Sequence, residues 1–412
     1  MQKVKMMKKY ADLIAEAGLD AGPKKDVAIY AEVEMYEFVR YLVAELYKYR
    51  VKHIAVHHTD QSLLRQALIN TPDSRFPLIA QEGLQALKDE AAKGFDRLLL
   101  CGAGLETVKR LPLARSRLFA EAKANAESPW LMRYEQGSLA SCTAVVPTKN
   151  WAKELYPELT PSQSYTKLWE QIYAVCRIDT AGNPALNYQR HLAQLAGKAA
   201  ALNKLHFQSL VLSSATTGTK LTLTLPIKHI WRYGVAEDAK GLHFLPAIPV
   251  EGVYTSPHSH GTNGIVYGTR ALLSQGERIE GFWLRFEGGK VVDFGAKTGL
   301  EALRSLIFYD DFSFRLGVVS LIEEPTVLGR AETVFGNALL DSESSSMVAL
   351  GNSLAQCFEN GTAMDPTQLR SHGLNRSRIQ LNLPIGAADL QAEGETEDHR
   401  RIVVFAGGKW QL

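Results

Sequence analysis

The sequence predicts an α/β fold, in which an N-terminal α/β domain with a mostly parallel sheet is followed by a C-terminal α+β domain. Through roughly the first 150 residues, short apolar runs alternate with helical patterns. Strands separated by crossover helices are typical of a parallel sheet covered on both faces. From Ser209 onward the pattern changes to closely spaced strands, as in antiparallel sheets. We therefore predict two domains, residues 1–195 and residues 196–412.

The elements of the N-terminal domain are predicted from the spacing of apolar residues. Short apolar runs indicate strands, and apolar residues three or four apart indicate amphipathic helices. The predicted strands are Val27–Val33, His53–Thr59, Arg97–Gly102 and Ala140–Pro147. The predicted helices are Tyr36–Arg50, Gln61–Asn70, Leu113–Ala126, Ser162–Ile178 and His191–Leu205.

The C-terminal domain begins with predicted strands at Leu210–Ser214 and Leu221–Leu225. Further along, the residues of Phe282–Glu287 alternate in polarity, and Lys290–Phe294 reads as a partner strand. Between these two strands lies the pair Gly288–Gly289, which is a turn signal. This segment therefore predicts a β-hairpin.

Composition limits the partners that the protein is expected to have. The 412 residues include 46 Lys+Arg and 44 Asp+Glu, a near balance that favours neither nucleic acid nor an anionic membrane as partner. The four cysteines are far apart, which argues against a disulfide framework and fits a reducing compartment. No run approaches the ~20 apolar residues that a membrane span needs. We expect a cytoplasmic protein.

Several motifs occur in the order seen in one enzyme family. They are Trp151-Ala152-Lys153, Leu168-Trp169, the segment Gly281–Gly289, Arg315-Leu316-Gly317 and Gly408-Lys409-Trp410. With these motifs, nearly the whole chain resembles the thermophilic-type metallo-aminopeptidases, the family of aminopeptidase T, AmpS and PepS. The resemblance implies a C-terminal domain of aminopeptidase T type that carries two metal ions. It also implies a dimer that encloses its active sites and removes N-terminal amino acids from peptides.

The resemblance also locates the six metal-ligand positions of the family, which are two Glu, two His, one Asp and one Tyr. Every one of them is substituted in this chain: the residues are Gly252, Val318, Met347, Leu354, Gln380 and Asn382. In the family the first His and the Tyr lie seven residues apart. Seven residues make two helical turns, so we predict that Met347 and Leu354 lie on one side of a helix. Gln380-Leu381-Asn382 is predicted to be a strand with both polar side chains on one face.

The chemistry of these substitutions predicts a protein without metal or other cofactor. Divalent metals in hydrolases are held by carboxylates and neutral imidazoles, which offset charge and replace hydration water. Gly, Val, Met and Leu supply no hard donor atom, and Gln and Asn supply only neutral carbonyl oxygens. We therefore interpret the six positions as the lining of a cavity that has lost its metal site.

Other polar residues near these positions are candidates for binding a ligand. They are Glu251, Tyr254, His258, His260, Glu343, His372, Arg376 and Arg378. The two arginines could bind a carboxylate or phosphate in place of metal charge, or could be charges of a solvated loop. The two nearby histidines, His258 and His260, could form a metal pair, act as general acid or base, or have no special role.

The run Ser344–Ser346 falls where the family's helix would begin, and Asp341 and Ser342 would then cap that helix. No G-x-S-x-G motif accompanies these serines, so they are not identified as nucleophiles.

Three functions remain open from the sequence. The first is a metal-free pseudo-peptidase that binds a peptide, an amino-acid-like ligand or a partner protein in the former active-site cavity. The second is a repurposed enzyme that acts without metal on a small amino or carboxylic substrate. The third is a residual metallo-aminopeptidase. The expected assembly is a homodimer, with a heteromer containing an active paralogue or another partner protein as the alternative.

Overall fold

The computed structural model describes residues 2–103, 111–135, 137–238, 241–274, 276–331 and 333–412. The chain divides into two compact units. The first comprises Met1–His191 together with Gly234–Pro249, and the second comprises Leu192–Tyr233 together with Val250–Leu412.

The first part of the chain alternates helices and strands. The helices are α1 (Gln2–Leu13), α2 (Tyr36–Lys48), α3 (Gln61–Asn70), α4 (Phe76–Lys93), α5 (Leu113–Glu135), α6 (Lys149–Leu155), α7 (Pro161–Val175) and α8 (Pro184–Leu205). The strands are β1 (Asp26–Glu32), β2 (His53–Thr59), β3 (Asp96–Cys101) and β4 (Ser141–Val145). Short π or 3-10 turns are Ile14–Gly18, Val33–Met35 and Asp73–Arg75. In the part of the chain that is described, no helix has the length and apolar character needed to cross a membrane.

The first unit is built on a parallel sheet with strand order β2-β1-β3-β4-β9, where β9 is Ala247–Ile248. Each neighbouring pair in this sheet is parallel. Val27, Ala28 and Ile29 are buried in succession along β1, as expected for a strand covered on both faces. The predicted α/β fold with a parallel sheet is therefore confirmed.

Short strands dominate the remainder of the chain. They are β5 (Ser209–Ser214), β6 (Thr219–Thr224), β7 (Ala236–Glu237), β8 (His243–Phe244), β10 (Val253–Thr255), β11 (Thr262–Tyr267), β12 (Leu272–Ser274), β13 (Glu277–Ile279), β14 (Trp283–Glu287), β15 (Lys290–Gly295), β16 (Leu316–Leu321), β17 (Met347–Gly351), β18 (Gln380–Pro384), β19 (Gln391–Glu395), β20 (Arg401–Ala406) and β21 (Lys409–Trp410). The α-helices among them are α9 (Leu300–Ile307), α10 (Ala338–Ser342) and α11 (Pro366–Ser371), and the 3-10 turns are Gly329–Ala331, Ala355–Cys357 and Gly361–Ala363.

Antiparallel sheets form the second unit. The larger sheet has the order β15-β14-β11-β6-β5-β19-β20-β21. The predicted hairpin is confirmed: β14 and β15 pair antiparallel, and Gly288 and Gly289 in the turn have φ of +54° and +80°. Positive φ at both positions is a conformation that glycine adopts without steric cost.

The smaller sheet, of order β10-β16-β17-β18, supplies the framework of the candidate site. Side chains alternate between the two faces of a strand. One face of this sheet packs into the main hydrophobic core of the unit through Val253, Val319, Leu321, Val348 and Leu383. The side chains of the residues between these positions therefore lie on the opposite face of the sheet.

The helix predicted for Met347 to Leu354 is wrong, because Met347–Gly351 is strand β17 and pairs with β16 and β18. The strand is buried on both faces, and periodicity cannot distinguish such a short apolar run from a buried helix. Helix α10 instead lies upstream, where Asn337 rather than Asp341 or Ser342 accepts the capping hydrogen bonds. The serine run therefore connects a helix end to a strand.

The burial of β17 predicts that two valines, both of which lie in strands, differ in how much stability is lost when each is replaced by alanine. Val348 is 0% exposed and belongs to the core, whereas Val292 in β15 is 44% exposed. Substitution by alanine lowers strand propensity at both positions, but only Val348→Ala removes a buried side chain. We expect Val348→Ala to lower the free energy of unfolding by about 2 kcal/mol more than Val292→Ala does. Urea denaturation of both variants measures this, and equal losses would contradict the assigned burial.

Candidate functional site

Four of the six positions that the resemblance assigns to metal ligands share one face of the small sheet. In the pairing of β16, β17 and β18, Val318 lies opposite Ala349, and Ala349 lies opposite Asn382. Directly paired residues of antiparallel strands point to the same face. Met347 and Gln380 lie two residues from members of this row, so alternation places them on that face too. We call this surface the site face.

The site face extends to the edge strand β10. Tyr254 pairs with Ser320, which in turn pairs with Met347, so Tyr254 belongs to the same face. Gly252 precedes Tyr254 by two residues. A side chain at Gly252 would collide with Ser320 Oγ and would lie 3.0 Å from Ile322 Cγ1. Gly252, the fifth of these positions, thus lies beside the site face, and Ser320 and Ile322 occupy the space that a side chain there would need.

The sixth position, Leu354, lies beyond the end of β17. Its backbone N–H donates to Ser256 Oγ at 3.0 Å. Two residues later, Gln356 Nε2 donates to the hydroxyl of Tyr254 at 3.1 Å. The segment that contains Leu354 is therefore tied to the β10 edge of the site face through Tyr254, although Leu354 is not part of the sheet.

A cavity of about 140 Å³ lies at the site face. Its lining includes Met347, Gln380 and Asn382 from the sheet and Arg270, Asp341 and Ser344 from outside it. Gln380 Nε2 donates to Asn382 Oδ1 at 3.0 Å, so these two amides partly satisfy each other. The cavity thus combines neutral amides and a thioether with one carboxylate and one guanidinium.

Arg270 and Asp341 were not identified from the sequence as site residues. Arg270 donates through Nη1 to the carbonyl of Gly329 at 3.1 Å and through Nη2 to that of Thr333 at 2.9 Å. It lies about 70 residues upstream of Asp341 in a segment without a motif, so no sequence signal points to it. Asp341 is close in sequence to Met347, and this closeness was the signal that could have identified it as a site residue.

Two carboxyl groups next to the site face have raised pKa values. The N–H of Glu251 donates to Glu343 Oε2 at 2.6 Å, yet burial, together with the nearby charge of Glu251, raises the pKa of Glu343 to about 7. Burial likewise raises the pKa of Asp341 to about 6, although the N–H of Phe335 donates to its Oδ1 at 2.7 Å. Both groups titrate within the range useful for general acid–base catalysis.

The candidate histidines lie in loops rather than on the strands of the site face. The ring centroids of His258 and His260 are 5.8 Å apart, and burial lowers the pKa of both, which favours neutral imidazoles near pH 7. Gly373 packs so closely against the His258 ring that a Cβ there would collide with it. His372, the next residue back, stacks on Phe358 at 5.0 Å. His258 and His372 are thus grouped around Gly373.

The two candidate arginines have different partners. Arg376 Nη1 donates to the carbonyl of Ser353 at 3.2 Å. The guanidinium of Arg378 lies over the ring of Tyr309 at 5.4 Å, and its backbone N–H donates to Asp310 at 2.8 Å. Joint binding of an anionic ligand by this pair stays a prediction.

The residues at the site face do not fit a di-metal centre. The five positions on or beside it supply two amides, one thioether and no carboxylate or imidazole. Within the ranges that the structure describes, no group of three or more His, Cys, Asp or Glu is arranged to hold a metal ion. Hard divalent cations need several anionic or imidazole donors.

Comparison with known proteins identifies the family. A family model described as thermophilic metalloprotease (M29) matches residues 3–410. Aminopeptidase 2 of Geobacillus stearothermophilus is 31% identical over 410 residues, which cover 98% of each chain. Aminopeptidase T of Thermus aquaticus is 29% identical over 98% of each chain. The solved structure of wild-type AmpT from Thermus thermophilus superimposes with a TM-score of 0.88 at 26% identity and covers 100% of both chains. The chain therefore belongs to the thermophilic metalloprotease (M29) family.

Proposed function

We propose that this protein is a metal-free homologue of the aminopeptidases and that its former active-site cavity binds a peptide or an amino-acid-like ligand. One observation carries the proposal: four of the positions that the resemblance assigns to metal ligands, which are Val318, Met347, Gln380 and Asn382, share one face of a sheet, and Gly252 lies beside that face. These side chains can pack and donate hydrogen bonds, but they cannot balance the charge of two divalent ions.

Packing at the site face supports the proposal. Val318 is 1% exposed and Met347 is 8% exposed, so both fill space that a metal-binding side chain would need. Ser320 and Ile322 occupy the volume that a side chain at Gly252 would take. The remaining open volume adjoins Gln380 and Asn382, whose amides can orient a peptide group or an amine.

Metal analysis tests the proposal directly. We expect the purified protein, never exposed to chelator, to contain far less than one equivalent of metal by mass spectrometry, before and after incubation with zinc, cobalt or manganese. It should also release no product from a chromogenic amino-acid amide. Stoichiometric metal that survives buffer exchange, together with metal-dependent hydrolysis, would instead support a residual aminopeptidase.

A second prediction concerns a variant in which metal-binding side chains are placed at three positions of the site face. Met347, Gln380 and Asn382 share the site face and border the same cavity. We expect the triple variant Met347→His/Gln380→His/Asn382→Asp to bind one Zn²⁺ per chain in calorimetric titration, because two imidazoles and a carboxylate then face one volume. The triple alanine variant serves as the control. If the histidine variant folds and binds no more zinc than the control, the assignment of these three residues to one face is contradicted.

Two carboxyl groups with raised pKa values favour one alternative, an enzyme that acts without metal on a small amino or carboxylic substrate. Asp341 lines the cavity, and Glu343 lies two residues away with its carboxylate on the N–H of Glu251. Groups that titrate near neutral pH can transfer protons to or from a bound substrate. A site variant that binds ligand normally and loses turnover would establish this alternative.

The raised pKa of Glu343 predicts a pH dependence of stability with a defined sign. Between about pH 4.5 and pH 7 the unfolded chain releases this proton while the folded chain retains it. The free energy of unfolding therefore falls as pH rises through this window, by about 2–3 kcal/mol from this group. Glu343→Gln keeps the hydrogen-bond acceptor for Glu251 and removes the titration. Urea denaturation at pH 5 and pH 7.5 should show a flatter profile for the variant, and an unchanged profile would contradict the shift.

We also propose that the protein is located in the cytoplasm and forms a homodimer there. The alternative is a heteromer, in which a partner protein replaces the second copy of the chain. The support is family membership, because the resemblance implies paired subunits that enclose the site. Light scattering of the purified protein measures the assembly.

A further inference from the structure

Strand β18 is the outer strand of the small sheet, and one of its two edges is open. In the order β10-β16-β17-β18, β18 pairs with β17 on one side and, among the residues that the structure describes, with no strand on the other. An open edge carries N–H and C=O groups that no neighbouring strand satisfies. The residues that direct these groups away from β17 follow from the pairing of the two strands.

One hydrogen bond next to β18 fixes the alternation of its backbone groups. The N–H of Ile385 donates to the carbonyl of Ser346 at 2.8 Å, in continuation of the pairing between β18 and β17. In an antiparallel pair, residues that exchange hydrogen bonds with the partner strand alternate with residues that do not. Counting back from Ile385 in steps of two, the odd-numbered residues of β18 bond to β17. The N–H and C=O groups of Gln380 and Asn382 therefore point away from β17.

Two further contacts agree with this assignment. At the other end of the pair, the N–H of Asn352 donates to the carbonyl of Ile379 at 2.8 Å, so an odd-numbered residue again bonds on the β17 side. The even-numbered Pro384 has no N–H to donate, and its carbonyl accepts a hydrogen bond from the N–H of Thr269 at 3.0 Å. The outward groups of β18 are thus already used for backbone pairing at this end of the strand.

The outward groups of Gln380 and Asn382 are accessible to a ligand. Within the described ranges, no hydrogen bond joins the backbone N–H or C=O of either residue to another group of the protein. Gln380 is exposed and Asn382 is half-buried. Two donors and two acceptors are therefore presented in a row along one edge, with the spacing that an extended chain matches.

The space beside these groups is a cleft with a second wall. The cavity of about 140 Å³ at the site face is lined by Gln380 and Asn382 and also by residues 271–274, which include β12. At one end the hydrogen bond from Thr269 to Pro384 joins the two walls, so the cleft narrows toward that end. A single extended segment fits such a cleft. The sheet edge of a second copy would bring its neighbouring strands and side chains, for which the cleft has no room.

We infer that β18 binds an extended peptide segment as an added strand, through the backbone groups of Gln380 and Asn382. Main-chain hydrogen bonds supply the affinity in this mode of recognition, and alternate side chains of the peptide supply the specificity. Peptide residues directly opposite Gln380 and Asn382 direct their side chains toward the site face. The cavity is smaller than the ~300–1,000 Å³ that encloses drug-sized ligands, so it holds part of the peptide and the rest extends beyond it.

The inference rests on the function proposed for the site face and makes it more specific. The ligand is a peptide that is recognised by its backbone, and not an amino acid that is recognised by its amine. A peptide whose two ends are chemically blocked should therefore still bind.

Calorimetric titration of the whole protein with acetyl-Thr-Val-Thr-Val-Thr-amide tests the inference, because this peptide favours strands and has no free amine or carboxylate. We expect saturable binding. Asn382→Pro removes one outward N–H and leaves the hydrogen bonds to β17 in place, since proline is tolerated on an edge strand where its nitrogen faces outward. Asn382→Ala removes the same side chain and keeps the N–H. The proline variant should bind at least about fivefold more weakly than the alanine variant.

Amide hydrogen exchange of the wild-type protein, followed by NMR, gives a second measurement that does not depend on the folding of a variant. Without peptide, the N–H groups of Gln380 and Asn382 should exchange faster than those of Leu381 and Leu383, which bond to β17. Saturating peptide should slow the exchange of the first two at least about tenfold and should have little effect on the other two.

Three results would overturn the inference. The first is absence of binding to the wild-type protein. The second is equal affinity of the folded proline and alanine variants, or exchange at Gln380 and Asn382 that the peptide does not change. The third is protection of these two N–H groups without peptide that increases with protein concentration, because a second copy of the chain would then occupy the edge.

Failure of this inference differs from failure of the proposed function. A protein without metal that binds an amino-acid amide but not the blocked peptide would retain the proposed function and overturn the strand pairing. Stoichiometric metal with metal-dependent hydrolysis would overturn the proposed function, whether or not the blocked peptide binds.

Discussion

The register of the small antiparallel sheet is the constraint on which the candidate site depends. Because successive side chains alternate between faces, the pairing that places Val319, Val348 and Leu383 in the core also places Val318, Met347 and Asn382 on the site face. A slip of one residue would expose the core and bury the site. Core packing therefore maintains the arrangement of the site whatever side chains the site carries.

Because the two faces are separate, the fold does not depend on carboxylates or imidazoles at the site face. A set of carboxylates held close together is stabilised by the cation between them, and without that cation the charges repel one another and resist burial. Neutral residues remove this repulsion. Gln380 and Asn382 hydrogen bond to each other, and Val318 and Met347 are buried against their neighbours. The side chains of the present face therefore need no cation between them.

Sequence reasoning succeeded where local signals and tertiary structure agree. Strand His53–Thr59 and helix Gln61–Asn70 have the predicted bounds, and Asp60 provides the cap that begins the helix. It failed at Met347–Gly351, because a buried central strand lacks the alternation that marks a half-buried one. Arg270 was missed for a different reason. Its place in the cavity follows from long-range folding, which the spacing of residues along the chain does not encode.

The positions that the resemblance assigns to metal ligands differ in the space that the structure leaves for a larger side chain. Gln380 and Asn382 are partly open and point into a cavity, so larger or charged side chains can be placed there with little displacement. Gly252 is different, because Ser320 and Ile322 have taken the space beside its Cα. A glutamate at that position requires both neighbours to move, and close-packed interiors resist such changes. A metal-binding side chain at Gly252 would therefore need accompanying changes at Ser320 and Ile322. The packing of Ser320 and Ile322 around Gly252, and not only the absence of a side chain there, therefore disfavours a metal ligand at this position.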